Sequence, residues 1–199
     1  MFLVDRLLGN SLVYRLWQAP FVEDKLAPLR RHNDLASVRS VLDVGCGPGT
    51  NTAAFPGTRY LGIDLNEGYV NLARARFGRP FLVADATRFH PEGERYDFIL
   101  ANSLLHHLND AGVTSMFGNL KGLLTQDGHI HVVDLVLPSR WGAPRALALL
   151  DRGDHPRAHG HVKALFERFF DVAAEERFAL TLAGQPLWEM VYLKGRART

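Results

Sequence analysis

Five short apolar runs punctuate the middle of the chain. They are Val41-Leu42-Asp43-Val44, Tyr60-Leu61-Gly62-Ile63, Pro80-Phe81-Leu82-Val83, Tyr96-Asp97-Phe98-Ile99-Leu100 and His129-Ile130-His131-Val132-Val133. None alternates strictly between apolar and polar, which is the pattern of strands covered on both faces. Between them, residues 69–77 and 113–124 step their apolar positions by three and four, the helical period. The shorter intervals after Gly49 and Asp85 admit a brief helix or a loop. Strands joined through helices pair in parallel with right-handed crossovers. After residue 138 the pattern changes to a stretch rich in Pro, Gly, Arg and His, with a helical patch at 143–150. A helix is expected at 162–170 and two closing strands at 172–182 and 187–193. That pair would add an antiparallel hairpin at the sheet edge. Ahead of the first strand, Leu3, Val4, Leu7, Leu8, Leu12, Val13, Leu16 and Trp17 also follow the helical period. Residues 1–32 are therefore read as amphipathic helices broken at Ala19-Pro20. Asp5, Arg6, Asn10 and Ser11 interrupt the apolar stretch too early for a signal peptide.

Composition narrows the class. A chain of 199 residues is long enough for one well-buried core. No apolar run approaches the roughly 18–20 residues that cross a bilayer. The single cysteine, Cys46, excludes an internal disulfide framework and a cysteine-based zinc site. With 23 basic against 21 acidic residues the net charge is +2, which leaves no nucleic-acid footprint. The expected protein is cytoplasmic, without a nucleic-acid partner and without stable membrane insertion.

The chemistry begins where the first strand enters Asp43-Val44-Gly45-Cys46-Gly47-Pro48-Gly49-Thr50. Glycines at alternate positions let a backbone pass close to a ligand, and a turn between strand and helix lies where parallel sheets bind nucleotides. The dinucleotide pattern G-x-G-x-x-G would need glycine where Thr50 stands, and no lysine follows to make a phosphate-binding P-loop. The second strand ends at Asp64, 19 residues after Gly45. A carboxylate at that spacing accepts from both hydroxyls of a ribose, or caps the next helix. Asp85, at the end of the third strand, would accept from an adenine amino group or act as a cap.

These acids and glycines, in order at strand ends, resemble the class I S-adenosylmethionine-dependent methyltransferases. The resemblance covers residues 38–135 well and the rest loosely. It implies a Rossmann-like, doubly wound α/β fold with a mostly parallel seven-stranded sheet, a C-terminal antiparallel hairpin and an N-terminal helical lid. On that likeness the chain is one domain, 1–199. Residues 1–37 form the lid, 38–137 the cofactor-binding core, 138–165 a substrate-side insertion and 166–199 the closing strands. The implied cofactor is S-adenosyl-L-methionine. Asp43, Gly45, Cys46 and Gly47 would line its methionine end, Asp64 its ribose, and Leu65, Asp85 and Ala86 its adenine. Asn102, Ser103 and Leu104 would face the cofactor and the substrate pocket. Small-molecule O-, N- or C-methylation is the leading reaction. A dinucleotide-dependent oxidoreductase and a non-catalytic cofactor-binding module are the rival readings.

Methyl transfer needs a general base only when the acceptor carries a proton at neutral pH. His106 and His107, after the fourth strand, are the candidates, unless one is packed or caps the next helix. His155, His159 and His161 lie within seven residues of one another. Glycine and proline among them argue for a loop rather than a metal-gripping helix, so no metal is expected. In that loop Arg152 and Arg157 would meet an anionic acceptor. In this family the lid usually decides the acceptor, and here it offers Tyr14, Trp17 and Phe21, with Trp141 in the late insertion, toward an apolar, aromatic or lipid-like molecule.

Overall fold

A computed structural model describes residues 21–151 and 153–198. Tyr14, Trp17 and Arg152 lie outside the described residues. The described chain opens with α1 (Val22–His32), followed by β1 (Ser40–Val44) and β2 (Arg59–Asp64). Then come α2 (Glu67–Phe77), β3 (Phe81–Val83), β4 (Tyr96–Asn102) and α3 (Asp110–Lys121). The second half holds β5 (Leu124–Val136), α4 (Ala143–Leu150), α5 (His159–Glu167), β6 (Phe170–Leu182) and β7 (Gln185–Ala197). One seven-stranded sheet runs in the order β3-β2-β1-β4-β5-β7-β6. The first five strands of that order pair in parallel, while β7 is antiparallel to both β5 and β6. This is the doubly wound sheet with a closing hairpin. Strand order reverses between β1 and β4, the place where such sheets leave a crevice for ligands.

Consecutive strand residues serve opposite faces, which explains the runs without alternation. Leu42, Val44, Ile99 and Val132 pack with Met116 and Phe117 of α3 and Phe166 of α5. Val41, Phe98, Leu100 and Val133 pack with Leu26 and Leu29 of α1 and Val70 and Ala73 of α2. The helix boundaries follow local chemistry. Asn66 Oδ1 accepts from Tyr69 N at 3.1 Å to start α2, and Gly78 ends it at φ 59°. Asn109 starts α3 by accepting from Gly112 N at 2.8 Å.

After Gly49 there is only a single 3-10 turn, Thr52–Ala54, and after Asp85 a loop. α5 begins three residues before the expected 162, because Gly160 sits in its first turn, where it breaks no established ladder. The closing strands are longer than expected. A two-residue turn at Ala183 (φ 49°) and Gly184 (φ 78°) joins them tightly, so Gln185 and Pro186 enter β7. α1 is moored to the far edge of the sheet. Arg31 pairs with Glu176 of β6, His32 Nε2 lies 3.0 Å from the same carboxylate, and Asn33 Nδ2 donates to Tyr192 Oη at 3.0 Å. Among the described residues no helix is long and apolar enough to cross a membrane.

Candidate active site

The turn after β1 is built on a buried carboxylate. Asp43 accepts from Tyr60 Oη at 2.6 Å and from Asn51 Nδ2 at 3.0 and 3.2 Å. Asn102 Nδ2 of β4 donates in turn to Asn51 Oδ1 at 2.9 Å. Burial pushes the Asp43 carboxyl up to about 6, against the pull of the Tyr60 and Asn51 hydrogen bonds. Above the turn, Gly45 N and Cys46 N donate to Ile63 O at 2.8 and 3.0 Å. Gly47 N donates to Asp64 Oδ2 at 2.8 Å. Both glycines need their positive φ, 69° and 53°. A Cβ at Gly45 would lie 2.9 Å from Leu104 Cδ1, whereas one at Gly47 would point into space holding no protein atom within 4 Å.

That space is part of a cavity of about 660 Å³ at the carboxyl ends of the parallel strands. Volumes of this size hold small organic ligands. One half is walled by Gly45, Gly47, Ile63, Asp64, Asp85 and Asn102. Leu65, Ala84, Ala86, Ser103 and Leu104 complete it. Asp64 stands between the glycine turn and α2, with Oδ1 accepting from Asn66 N at 2.8 Å. It ties the turn to the strand end, while Asn66 is the helix cap. Asp85 Oδ1 accepts from Thr87 N and Thr87 Oγ1 at 2.9 and 2.7 Å, and these bonds hold its pKa down. Its Oδ2 has Arg88 Nε only at 3.9 Å. Ser103 holds a strained φ of 56°, and its N donates to Val133 O at 2.7 Å.

The other half is apolar, with Phe21, Leu135, Leu180, Trp188 and Met190 among its walls. Lys25, His106, His107 and Asp151 bring polar atoms to the junction. Lys25 Nζ donates to Ser103 Oγ at 2.9 Å. Burial draws its pKa down to about 8, opposed by the charges of Asp134 and Asp151. His106 is 5% exposed and its Nδ1 lies 2.5 Å from Asp134 Oδ1.

Two expected site residues lie elsewhere. Asp43 does not line the cavity but sits beneath the turn, held by Tyr60 and Asn51. Cys46 is buried, yet it lines a smaller pocket that shares Gly45, Gly47, Lys25, Asn102 and Ser103 with the large one. Burial pushes the Cys46 thiol up, and the charges of Asp43 and Asp64 add to this. Arg157 is buried away from the cavity. Its Nε donates to Asp110 Oδ1 at 2.7 Å, its Nη1 to Leu105 O at 2.8 Å, and its Nη2 to Leu108 O at 2.5 Å. It clamps the turn after β4 to α3. His159 and His161 open α5 rather than lying in a loop, and they turn to different partners, His159 to Glu175 at 2.6 Å and His161 to Asp110 at 2.9 Å. Among the described residues no group of three or more His, Cys, Asp or Glu could hold a metal ion. Sequence reasoning passed over Lys25, Asp134 and Asp151. Asp134 was visible as an acid inside the apolar run Val132-Val133-Asp134-Leu135. The other two carry no local signal.

The donor set fits an adenosyl group. It offers a carboxylate at the end of each of β2 and β3, apolar side chains between them, and an open backbone turn. It does not suit a dinucleotide, because a single 3-10 turn replaces the helix whose N-terminus would meet a pyrophosphate.

Comparison with known proteins agrees. Residues 41–128 match the family model described as a methyltransferase domain. A trans-aconitate 2-methyltransferase of Escherichia coli (strain E24377A) is 31% identical over 157 residues, covering 71% of this chain and 57% of that protein. The counterpart from Methylobacterium radiotolerans is 37% identical over 103 residues, 49% of this chain and 38% of the relative. The chain thus spans little more than half the length of the E. coli relative. Among solved structures, the N-methyltransferase NodS from Bradyrhizobium japonicum WM9, in complex with S-adenosyl-L-homocysteine, superposes with a TM-score of 0.76. It is 19% identical, with 98% of this chain and 96% of that one covered. A protein from Pyrococcus horikoshii OT3 gives a TM-score of 0.72 at 17% identity, over 95% and 93% of the two chains. The glycine turn, the two strand-end carboxylates and the closing hairpin thus stand in a chain whose residues 41–128 match a methyltransferase domain and whose fold is that of solved methyltransferases.

Proposed function

We propose that this protein transfers a methyl group from S-adenosylmethionine to a small acceptor with a largely apolar body. The reading rests on the two unlike halves of one cavity, a polar half at the strand ends and an apolar half under β5, β7 and α4. S-adenosylmethionine supplies a methyl carbon already made electrophilic by its sulfonium. The protein's part is then mainly to hold the acceptor in line, about 3–3.5 Å from that carbon and opposite the sulfur.

In this reading Asp64 accepts from the ribose hydroxyls, and Leu65, Asp85 and Ala86 take the adenine. Gly45 and Gly47 admit the close approach of the methionine end, and Asn102 and Ser103 flank it. Lys25 supplies the cation that the amino-acid carboxylate requires. Phe21 and Lys25 are the described lid residues that reach the cavity, which supports the lid role assigned to residues 1–37.

The E. coli and Methylobacterium relatives are named for trans-aconitate, a tricarboxylate. A triacid would need several unopposed cations. Among the described residues, the cations Lys25 and His106 face Asp134 and Asp151, and the acceptor half is otherwise mostly apolar. This favours a less charged acceptor. The near-balanced charge supports action on a free small molecule in the cytoplasm rather than on nucleic acid.

The test is a transfer assay with deuteromethyl-labelled S-adenosylmethionine against phenols, amines and carboxylic acids, read by mass spectrometry. Labelled product is expected. Binding of the cofactor with no product across the panel would replace the enzyme with a non-catalytic binding module.

A further inference from the structure

Asp134 of β5 is 1% exposed and has both oxygens engaged. Oδ2 accepts from the backbone N–H groups of Leu104 and Leu105 at 3.0 and 2.6 Å. Oδ1 lies 2.5 Å from His106 Nδ1. An ionised carboxylate only accepts, so Nδ1 carries the hydrogen. The neutral ring therefore keeps its lone pair on Nε2. That nitrogen stands 3.9 Å from Oδ1 of Asp151, the residue capping the C-terminal end of α4. The ring is held from behind as well. A Cβ on Gly153 would lie 2.2 Å from His106 Cδ2, and His155 N donates to His106 O at 3.0 Å.

We propose that His106 Nε2 accepts the proton of an aryl or enolic hydroxyl during methyl transfer, with Asp134 and Asp151 as its positioning residues. The inference rests on the methyltransferase reading above and names the acceptor class. A proton gained at Nε2 lies between two carboxylates, so the site holds both states of the ring. Burial favours the neutral ring, but Asp134 and then Asp151 outweigh it, against the charge of Lys25, and the net shift is upward. The groups facing the ring are Lys25 from α1, Asp134 from β5, Asp151 from the end of α4, and His107, whose ring centroid is 4.2 Å away.

A histidine base matches a phenol-like hydroxyl, with a pKa near 10, far better than an aliphatic alcohol. The walls beside it, Phe21, Leu135, Leu180, Trp188 and Met190, suit an apolar skeleton. The step balances. The O–H hydrogen passes to Nε2, and an oxygen electron pair forms the bond to the methyl carbon. The carbon–sulfur bond breaks with its pair kept on sulfur. One positive charge moves from sulfonium to imidazolium.

The test uses 4-propylphenol and 4-propylbenzoate as acceptors with deuteromethyl S-adenosylmethionine at pH 5 to 9. The variants are His106→Gln, Asp134→Asn and Asp151→Asn, with calorimetric binding of S-adenosylhomocysteine alongside. The phenol should be methylated with a dependence on His106, and any methylation of the benzoate, already ionised, should not depend on it. Turnover should rise with pH through a midpoint above 6.5. His106→Gln should lose about 100- to 10,000-fold in kcat, the usual share of a general base, with S-adenosylhomocysteine still bound. Both Asp variants should move the pH midpoint downward, which a merely structural role would not do. In the wild-type protein with S-adenosylhomocysteine bound, nitrogen-15 NMR should find the neutral His106 ring protonated at Nδ1. The proposal is overturned by undiminished turnover in His106→Gln, by turnover of the benzoate alone, by turnover of neither probe, or by a neutral ring protonated at Nε2. Absence of S-adenosylhomocysteine binding overturns the methyltransferase reading itself, and this proposal with it.

Discussion

Replacing Asp134 by Asn tests whether the buried pair holds the turn after β4 to the sheet. The wild-type carboxylate faces three donors, Leu104 N, Leu105 N and His106 Nδ1, at 3.0, 2.6 and 2.5 Å. Asn offers one acceptor oxygen in the same volume and turns an N–H₂ toward a donor. Breaking a buried ion pair from one side typically costs about 3–5 kcal/mol. The cost depends on pH with a definite sign. Despite its burial, Asp134 is held below its ordinary value of 3.8 by the charge of His106. Its contribution is complete above the ordinary carboxylate range and is lost as pH falls through the depressed value. His106 is raised above its ordinary 6.5. Its contribution is complete below 6.5 and is lost as pH rises through the raised value. Both groups are charged between these limits, so the pair is at full strength near pH 5.5. As pH rises toward 9 the ring loses its charge, and the cost in the variant should fall toward that of hydrogen bonds alone, about 1–3 kcal/mol. Urea unfolding followed by circular dichroism at the two pH values reads the difference. A cost no greater at pH 5.5 than at pH 9 would refute the ion pair.

Other substitutions separate binding from scaffold. Asp64→Ala should weaken S-adenosylmethionine binding about 160- to 25,000-fold, from about 3–6 kcal/mol for two hydrogen bonds to a charged acceptor. An unchanged affinity in calorimetry would leave Asp64 only its bonds to Gly47 and Asn66. Arg157→Ala should lower thermal stability by about 2–4 kcal/mol, because several hydrogen bonds of a buried cation are lost. The acceptor KM should stay as it was; a raised KM with an unchanged melting temperature would return Arg157 to the substrate. Gly153→Ala should cost about 1–3 kcal/mol through overpacking against the His106 ring. The His106 nitrogen-15 signals should shift with it, and an unmoved spectrum would show that the ring is not held from that side.

The core sheet was legible because burial on both faces leaves a mark that survives without context. Unbroken runs such as Val41-Leu42 and Ile99-Leu100 send neighbours to opposite layers. The strand-end half of the cavity was legible for a related reason. A glycine turn at one strand end and an acid at the next are set by local spacing, so the turn at Gly45 and the carboxylate of Asp64 could be assigned to one site before any contact was known. The place of Asp43 beneath the turn was not, since which side of a turn faces the ligand depends on packing by Tyr60 and Asn51. The acceptor half is assembled from α1, β5, α4 and β7, far apart in the chain, and only the fold brings Lys25, Asp134 and Asp151 to one ring. Arg157 misled for the same reason. An arginine in a polar loop looks solvated until three backbone carbonyls and an aspartate are found around it.

The central claim is that the strand-end cavity binds S-adenosylmethionine. One calorimetric comparison of S-adenosylmethionine, S-adenosylhomocysteine and NAD tests it directly. Both sulfur nucleosides should bind at one site, with binding lost together in Asp64→Ala, and NAD should give no heat. Heat with NAD alone would contradict it.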